Sequence, residues 1–217
     1  MNIEQARFNM IEQQIRPWDV LDADVLHLLA VVKREDFVPL AHKALAFVDM
    51  EIPLGHGQCM LAPRVEARLL QDAAVQKHEK VLEIGAGSGY MAALLAHRAQ
   101  RVVSLEINPE LAAMARTNLQ QAGIHNAEVR QFDGANGTPG DGPFDVIVLS
   151  GSVAELPQAL LAQLKVGGRL VGIVGDEPVM RATVVTRTGE ASFTTSTPWD
   201  TVVPRLLNFP ELSNFKF

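Results

Sequence analysis

Several absences narrow this 217-residue chain before any motif is considered. It has one cysteine, Cys59, so no disulfide can close within it and no cysteine-based metal site can form. Its six histidines (27, 42, 56, 78, 97 and 125) are scattered, with no His-x-x-x-His pair, and no metal is expected. Runs of lysine and arginine are missing and the net charge is −6, which argues against an electrostatic grip on nucleic acid. The longest apolar run, VLHLLAVV, is too short to cross a bilayer and carries a histidine. The N-terminal stretch MNIEQARFNMIEQQIRP is charged throughout and lacks an apolar core, so it does not read as a signal peptide. No membrane association and a cytoplasmic location are the default expectations. With 47% apolar and 20% charged residues, the chain has the make-up of a globular protein of one domain, residues 1–217.

Residues 1–48 read as helical. In DADVLHLLAVVK, Val25, Leu28, Leu29 and Val32 recur at helical spacing and Asp22 is a plausible N-cap. Pro39 is expected to stop this helical stretch at FVP, because it disfavours helical geometry at Val38. A loop over 49–63 follows, and Pro63 suits the first turn of the next helix. The chain thus divides into an N-terminal helical and lid extension, 1–63, and a core, 64–217.

From residue 80 short apolar runs alternate with helical stretches. KVLEI, RVVSLEI, AEVRQF, FDVIVLS and RLVGIVG read as strands of a parallel, helix-covered sheet. NPELAAMARTNLQQAG is a clear helix, with Asn108 as cap, Pro109 at its first position and Gly123 closing it. PQALLAQL reads as a helix between the last two of those strands. Too few residues separate Gly175 from ATVVTRT for a crossover helix, so an antiparallel return is expected, with a turn at Thr188-Gly189 leading into a final strand. The fold class is α/β: a three-layer, Rossmann-like sheet, mostly parallel, with an antiparallel hairpin at its end and helices at its N-terminus.

The strongest chemical signal is VLEIGAGSGY, in which a strand ends in Glu83-x-Gly85-x-Gly87-Ser88-Gly89 before a helix. Glycines there let the backbone turn sharply and approach a ligand at the carboxyl end of a strand. A dinucleotide fingerprint would place its third glycine at Tyr90, and Glu83 would repel a pyrophosphate. Glu83 suits an ammonium group, and S-adenosyl-L-methionine carries an amino group and a sulfonium but no phosphate. Glu106, followed by Ile107, closes the second strand, where a carboxylate can accept from both ribose hydroxyls. Asp133 and the Gly134 backbone, after the third strand, are candidates for the adenine. A nicotinamide-dependent oxidoreductase fits this spacing less well.

These residues resemble class I S-adenosylmethionine-dependent methyltransferases, and the wider chain resembles the protein-L-isoaspartate O-methyltransferase family. IRPWDVLDADVLHLLAVVKREDFVP is similar to that family's N-terminal element, and AFVDMEIPLGHGQ to its acceptor loop. VLEIGAGSGYMAALLA, FDGANG, PFDVIVLSGS and QLKVGGRLVGIVG follow its later motifs in order. The resemblance implies methylation of a carboxylate of isoaspartyl residues in damaged proteins, the first step of repair, with S-adenosyl-L-homocysteine as product. A protein or peptide is then the implied partner. The family's loop continues Thr-Ile-Ser-x-Pro, whereas here Cys59-Met60-Leu61-Ala62-Pro63 stands. Leucine offers neither donor nor acceptor where the family's serine would be. An altered acceptor, such as a small, less polar molecule, or weakened isoaspartyl activity is expected, and a catalytically silent cofactor-binding module is the alternative. His56, Gln58, Cys59 and Leu61 are the acceptor-loop candidates. Among them His56 could serve as a base for a hydroxyl or amine, and Cys59 reads as an inert thiol.

Overall fold

The computed structural model describes residues 2–138 and 140–211; the last six residues assigned to the core from sequence lie outside the described residues. Helix α1 (Ile3–Met10) runs into a wide π turn and a 3-10 turn ending at Trp18. Helix α2 (Ala23–Val31) is capped by Asp22, whose carboxylate accepts from the amides of Asp24 and Val25. It ends well before Pro39, because Val32 is already extended. The chain leaves the helix to carry Arg34 inward, where its guanidinium is wholly buried. Two short 3-10 turns, Arg34–Asp36 and Leu40–Leu45, follow.

The stretch read as a loop holds a small antiparallel hairpin, β1 (Ile52–Gly55) and β2 (Gln58–Met60). Ile52 and Leu54 are buried while Pro53 and Gly55 are exposed, the alternation of a half-covered strand. Gly55, His56 and Gly57 all take positive φ at its tip, which hides the strand signal among turn residues. Next come α3 (Pro63–Ala73), β3 (Lys80–Ile84), α4 (Tyr90–Arg98), β4 (Arg101–Glu106), α5 (Pro109–Gln121) and β5 (Ala127–Gln131). The remainder is β6 (Phe144–Val153), α6 (Gln158–Leu161), β7 (Leu164–Asp176), β8 (Val179–Arg187) and β9 (Phe193–Thr201). Helix α6 is shorter than the sequence suggests, since Leu164 already pairs with Phe144 and the Gln163 side chain is engaged by Asn136 and Thr138.

Strands β3 to β9 form one seven-stranded sheet in the order β5-β4-β3-β6-β7-β8-β9. All pairs from β5 to β7 are parallel, and β8 and β9 return antiparallel through a turn in which the Thr188 and Gly189 amides donate to the Ser192 carbonyl. Successive side chains in the central strands point to opposite faces. Val81, Val102, Val146 and Val148 pack with α3, α4, α5, the hairpin and the N-terminal helices. Leu82, Val103, Ile147 and Leu149 face a thinner layer that includes α6 and Phe209. Trp199 ties β9 to α3 by donating its indole N–H to Asp72 at 2.7 Å. Consecutive connections leave β3 toward β4 on one side and return at β6 on the other, so the strand order reverses at the end of β3. Open α/β sheets bind ligands at such a reversal.

Candidate active site

The glycine loop lies at that reversal, between β3 and α4. Gly85 turns at φ +91°, and the amides of Gly85 and Ala86 donate to the Leu105 carbonyl at 2.8 and 3.1 Å, locking the loop to β4. Gly89 sits at φ +86° against α5, where a Cβ would come within 3.1 Å of the Ala115 carbonyl oxygen. A side chain at either position would strain the backbone, and at Gly89 it would also push two helices apart.

Three carboxylates stand at the ends of neighbouring strands. Glu83, in β3, is fully buried and accepts from Ser104 Oγ at 2.5 Å and Ser150 Oγ at 2.8 Å. Burial pushes its carboxyl up to about 7, although the two hydroxyls pull the other way. Glu106 closes β4; its Oε2 accepts from the Gly87 amide at 2.8 Å and its Oε1 from the Asn108 amide at 2.9 Å. Asp133, after β5, accepts from the Ala135 amide at 3.0 Å and from the side-chain amide of Asn208 at 2.8 Å.

Two small cavities flank Gly85. An outer one of about 40 Å³ touches Gln58, Glu106, Ile107, Asp133 and Gly134. An inner one of about 20 Å³ touches Cys59, Leu61, Glu83, Gly87 and Ser88. A far larger concavity, about 590 Å³, lies elsewhere, between Glu51, Glu177, Met180 and Arg205. Size alone would favour that open groove. The glycine loop, the strand-end carboxylates and the acceptor loop meet at the two smaller cavities, and the site is assigned there.

The hairpin and the residues after it roof the inner cavity. Leu54 packs so closely on the glycine loop that a Cβ at Gly87 would lie 3.1 Å from its Cδ1. Leu61 is buried, and its carbonyl accepts from Arg34 at 2.7 Å; the same guanidinium donates to the Ala46 carbonyl at 3.1 Å and pairs with Glu66. Burial raises Glu66 to about 7 against the opposing pull of Arg34. Tyr90, 5.1 Å from the Arg34 guanidinium at its ring centroid, borders the inner cavity with a buried hydroxyl that has no hydrogen-bond partner among the described residues.

The four acceptor-loop candidates are dispersed. Gln58 reaches the outer cavity and Cys59 and Leu61 the inner one. His56 lines neither; it sits at the hairpin tip, with Nε2 2.9 Å from Glu110 Oε2 at the start of α5. Burial and the nearby Glu51 carboxylate push the Cys59 thiol up to about 12, so it stays protonated. Asp49, just ahead of the hairpin, is paired with Arg64 at 3.0 Å.

Sequence reasoning missed the residues that hold this arrangement in place. Ser104 is a polar residue inside the apolar run of β4, between Val103 and Leu105, and stands in register with Glu83, a signal that a buried carboxylate needed a donor. Arg34 and Glu66 carried no local signal, because their meaning depends on a contact across 32 residues.

Several known proteins are similar to this chain. Residues 5–203 match the family model of Protein-L-isoaspartate(D-aspartate) O-methyltransferase (PCMT). Protein-L-isoaspartate O-methyltransferase 1 of Syntrophobacter fumaroxidans is 44% identical over 176 residues, covering 81% of this chain and 82% of that protein. The Gloeobacter violaceus protein-L-isoaspartate O-methyltransferase is 42% identical over 180 residues, covering 82% of this chain and 88% of its own. Among solved structures, a Plasmodium falciparum protein described as a protein-L-isoaspartate O-methyltransferase, in complex with S-adenosyl-L-homocysteine, superposes with a TM-score of 0.75 at 19% identity. That likeness covers 94% of this chain and 97% of the other. A second protein-L-isoaspartate O-methyltransferase gives a TM-score of 0.76 at 23% identity, covering 92% of this chain and 65% of that one. These two structures share the fold.

Proposed function

This chain belongs to the protein-L-isoaspartate (D-aspartate) O-methyltransferase family, and we propose that it transfers a methyl group from S-adenosyl-L-methionine to a carboxylate of isoaspartyl residues in damaged protein. The observation that carries this reading is the convergence of Glu83, Glu106 and Asp133 around a glycine loop at the sheet's reversal point, directly beneath the acceptor hairpin. When bound, the cofactor supplies a methyl group on a sulfonium centre with a good leaving group.

The residues present fit such a group by their chemistry. Glu106 offers two acceptor oxygens suited to the ribose hydroxyls, beside Ile107. Asp133 and the backbone of Gly134 suit the adenine, and Gly85, Gly87, Ser88 and Gly89 shape the backbone around the methionyl portion, with Glu83 as the nearby acidic group for its ammonium. The carboxyl acceptor is already ionised near neutral pH, so the reaction asks for alignment and exclusion of water rather than a strong base. Cys59, held protonated, is not called on as a nucleophile, and neither is His56, engaged at the hairpin tip. No helix among the described residues is long and apolar enough to cross a membrane; a cytoplasmic location and a damaged protein or peptide as partner belong to this proposal.

A second reading, a less polar acceptor, is favoured by one feature: Leu61 stands in the wall of the inner cavity where the family's serine would be. Radiolabelled methyl transfer to an isoaspartyl peptide decides between them. The first reading expects incorporation by the unmodified chain, raised on Leu61→Ser; label that appears only on apolar acceptors supports the second. Cofactor binding without transfer to any acceptor would leave only a silent binding module.

A further inference from the structure

Residues 204–211 follow the stretch matched by the family model, which ends at 203, and they run across the site just described. The segment is anchored on β6: the Ser152 amide donates to the Pro204 carbonyl at 2.8 Å, and the Leu206 amide donates to the Ser152 carbonyl at 2.9 Å. Arg205 adds a clamp, donating to the Gly175 carbonyl at 2.6 Å and pairing with Asp176. From this anchor Leu206 projects onto two glycines. A Cβ built at Gly85 would lie 2.8 Å from Leu206 Cδ2, and one at Gly151 would lie 2.9 Å from it. Asn208 then donates its side-chain amide to Asp133, and Phe209 buries its ring in the core layer beside Ile84.

Leu206 thus lines the outer cavity of about 40 Å³ and lies against Gly85, which also borders the inner one of about 20 Å³. Cofactor-sized ligands occupy pockets of roughly 300–1,000 Å³. The groups that suit the ligand are present, while the space between them is filled by this chain's own side chains. We propose that residues 204–209 form a displaceable strap that competes with an adenosyl cofactor for the strand ends, so that the cofactor binds only as Leu206 leaves Gly85 and Asn208 releases Asp133. This rests on the cofactor assignment above. Its thermodynamic consequence is an apparent affinity reduced by the fraction of molecules in which the strap is open.

Two measurements test it. Calorimetry with S-adenosyl-L-homocysteine is expected to give a Kd about fivefold lower or better for Leu206→Ala and for Asn208→Asp, the latter placing a second carboxylate against Asp133. Affinity unchanged or weakened in both folded variants overturns the strap. Hydrogen exchange on the unmodified chain is the second test and does not depend on variant folding. The Leu206 and Ser152 amides, hydrogen-bonded in the closed strap, are expected to exchange faster when the ligand is bound; unchanged or slower exchange with ligand bound overturns the displacement. If S-adenosyl-L-homocysteine binds neither the unmodified chain nor either variant, the cofactor assignment fails and takes the strap's role with it. Binding with no response of the strap removes the strap alone.

Discussion

At the scale of single residues, Glu83 joins the demands of folding to those of the site. Its carboxyl moves from an ordinary value of 4.5 to about 7 on burial, so the folded chain binds a proton more readily than the unfolded one across that interval. The stability that this protonation contributes is fully present below pH 4.5 and is lost as pH rises through about 7. At roughly 1.4 kcal/mol per pKa unit the effect is on the order of 3 kcal/mol. Urea unfolding between pH 5 and 8 is therefore expected to show a falling midpoint in the unmodified chain relative to Glu83→Gln, which cannot ionise. Parallel curves for the two proteins would exclude Glu83 as the titrating group. Cys59 gives a second expectation: with its thiol pushed up to about 12, alkylation at pH 8 is slow in the native protein and speeds up in urea. Rapid native labelling would contradict the raised thiol of this half-buried residue. The carboxylates at 83, 106 and 133 were legible in the sequence because each ends a strand at motif spacing. The hydroxyls of Ser104 and Ser150 were harder to read, since a serine names its partner only when the register of the neighbouring strand is known.

At the scale of elements, a buried ion pair ties down the residues that follow the β1–β2 hairpin. Arg34 joins the turn after α2 to the Leu61 carbonyl and to Glu66 on α3, with no solvent on the guanidinium. Arg34→Met is expected to destabilise the protein by about 3–5 kcal/mol, because it leaves Glu66 buried without its partner. Adding Glu66→Gln should recover part of that loss, as read from urea midpoints. If the double variant is no more stable than the single one, the pair does not act as a unit. The same contact explains one boundary that periodicity alone misplaces, and backbone geometry explains another. Helix periodicity ran past Val31, but the chain leaves the helix to bury Arg34, and the hairpin that follows was masked by three positive-φ residues at its tip. Helices with sharp caps, such as α5 with Asn108, Pro109 and Gly123, were legible because their signals are local.

At the scale of the whole molecule, the parallel, helix-covered sheet follows from the alternation of short apolar runs and helices, and the antiparallel return after β7 from the lack of room for a crossover. That much needed no tertiary information. The course of residues 204–211 did, since nothing in PRLLNFPE signals the surface it covers. The sheet's reversal point gives a prediction of its own: Glu106→Ala should leave thermal unfolding nearly unchanged yet reduce S-adenosyl-L-homocysteine affinity at least tenfold by calorimetry. Unaltered affinity would remove Glu106 from the ribose contact. The hairpin tip carries a further consequence. Gly55, His56 and Gly57 are exposed, while the buried apolar side chains before them, from Met10 to Leu54, share one cluster with α3, α4 and α5. Exposed tips of this kind are where proteases cut first. A chain nicked there would run as two fragments on a denaturing gel and still elute as one particle, its halves held by the core rather than by the peptide bond.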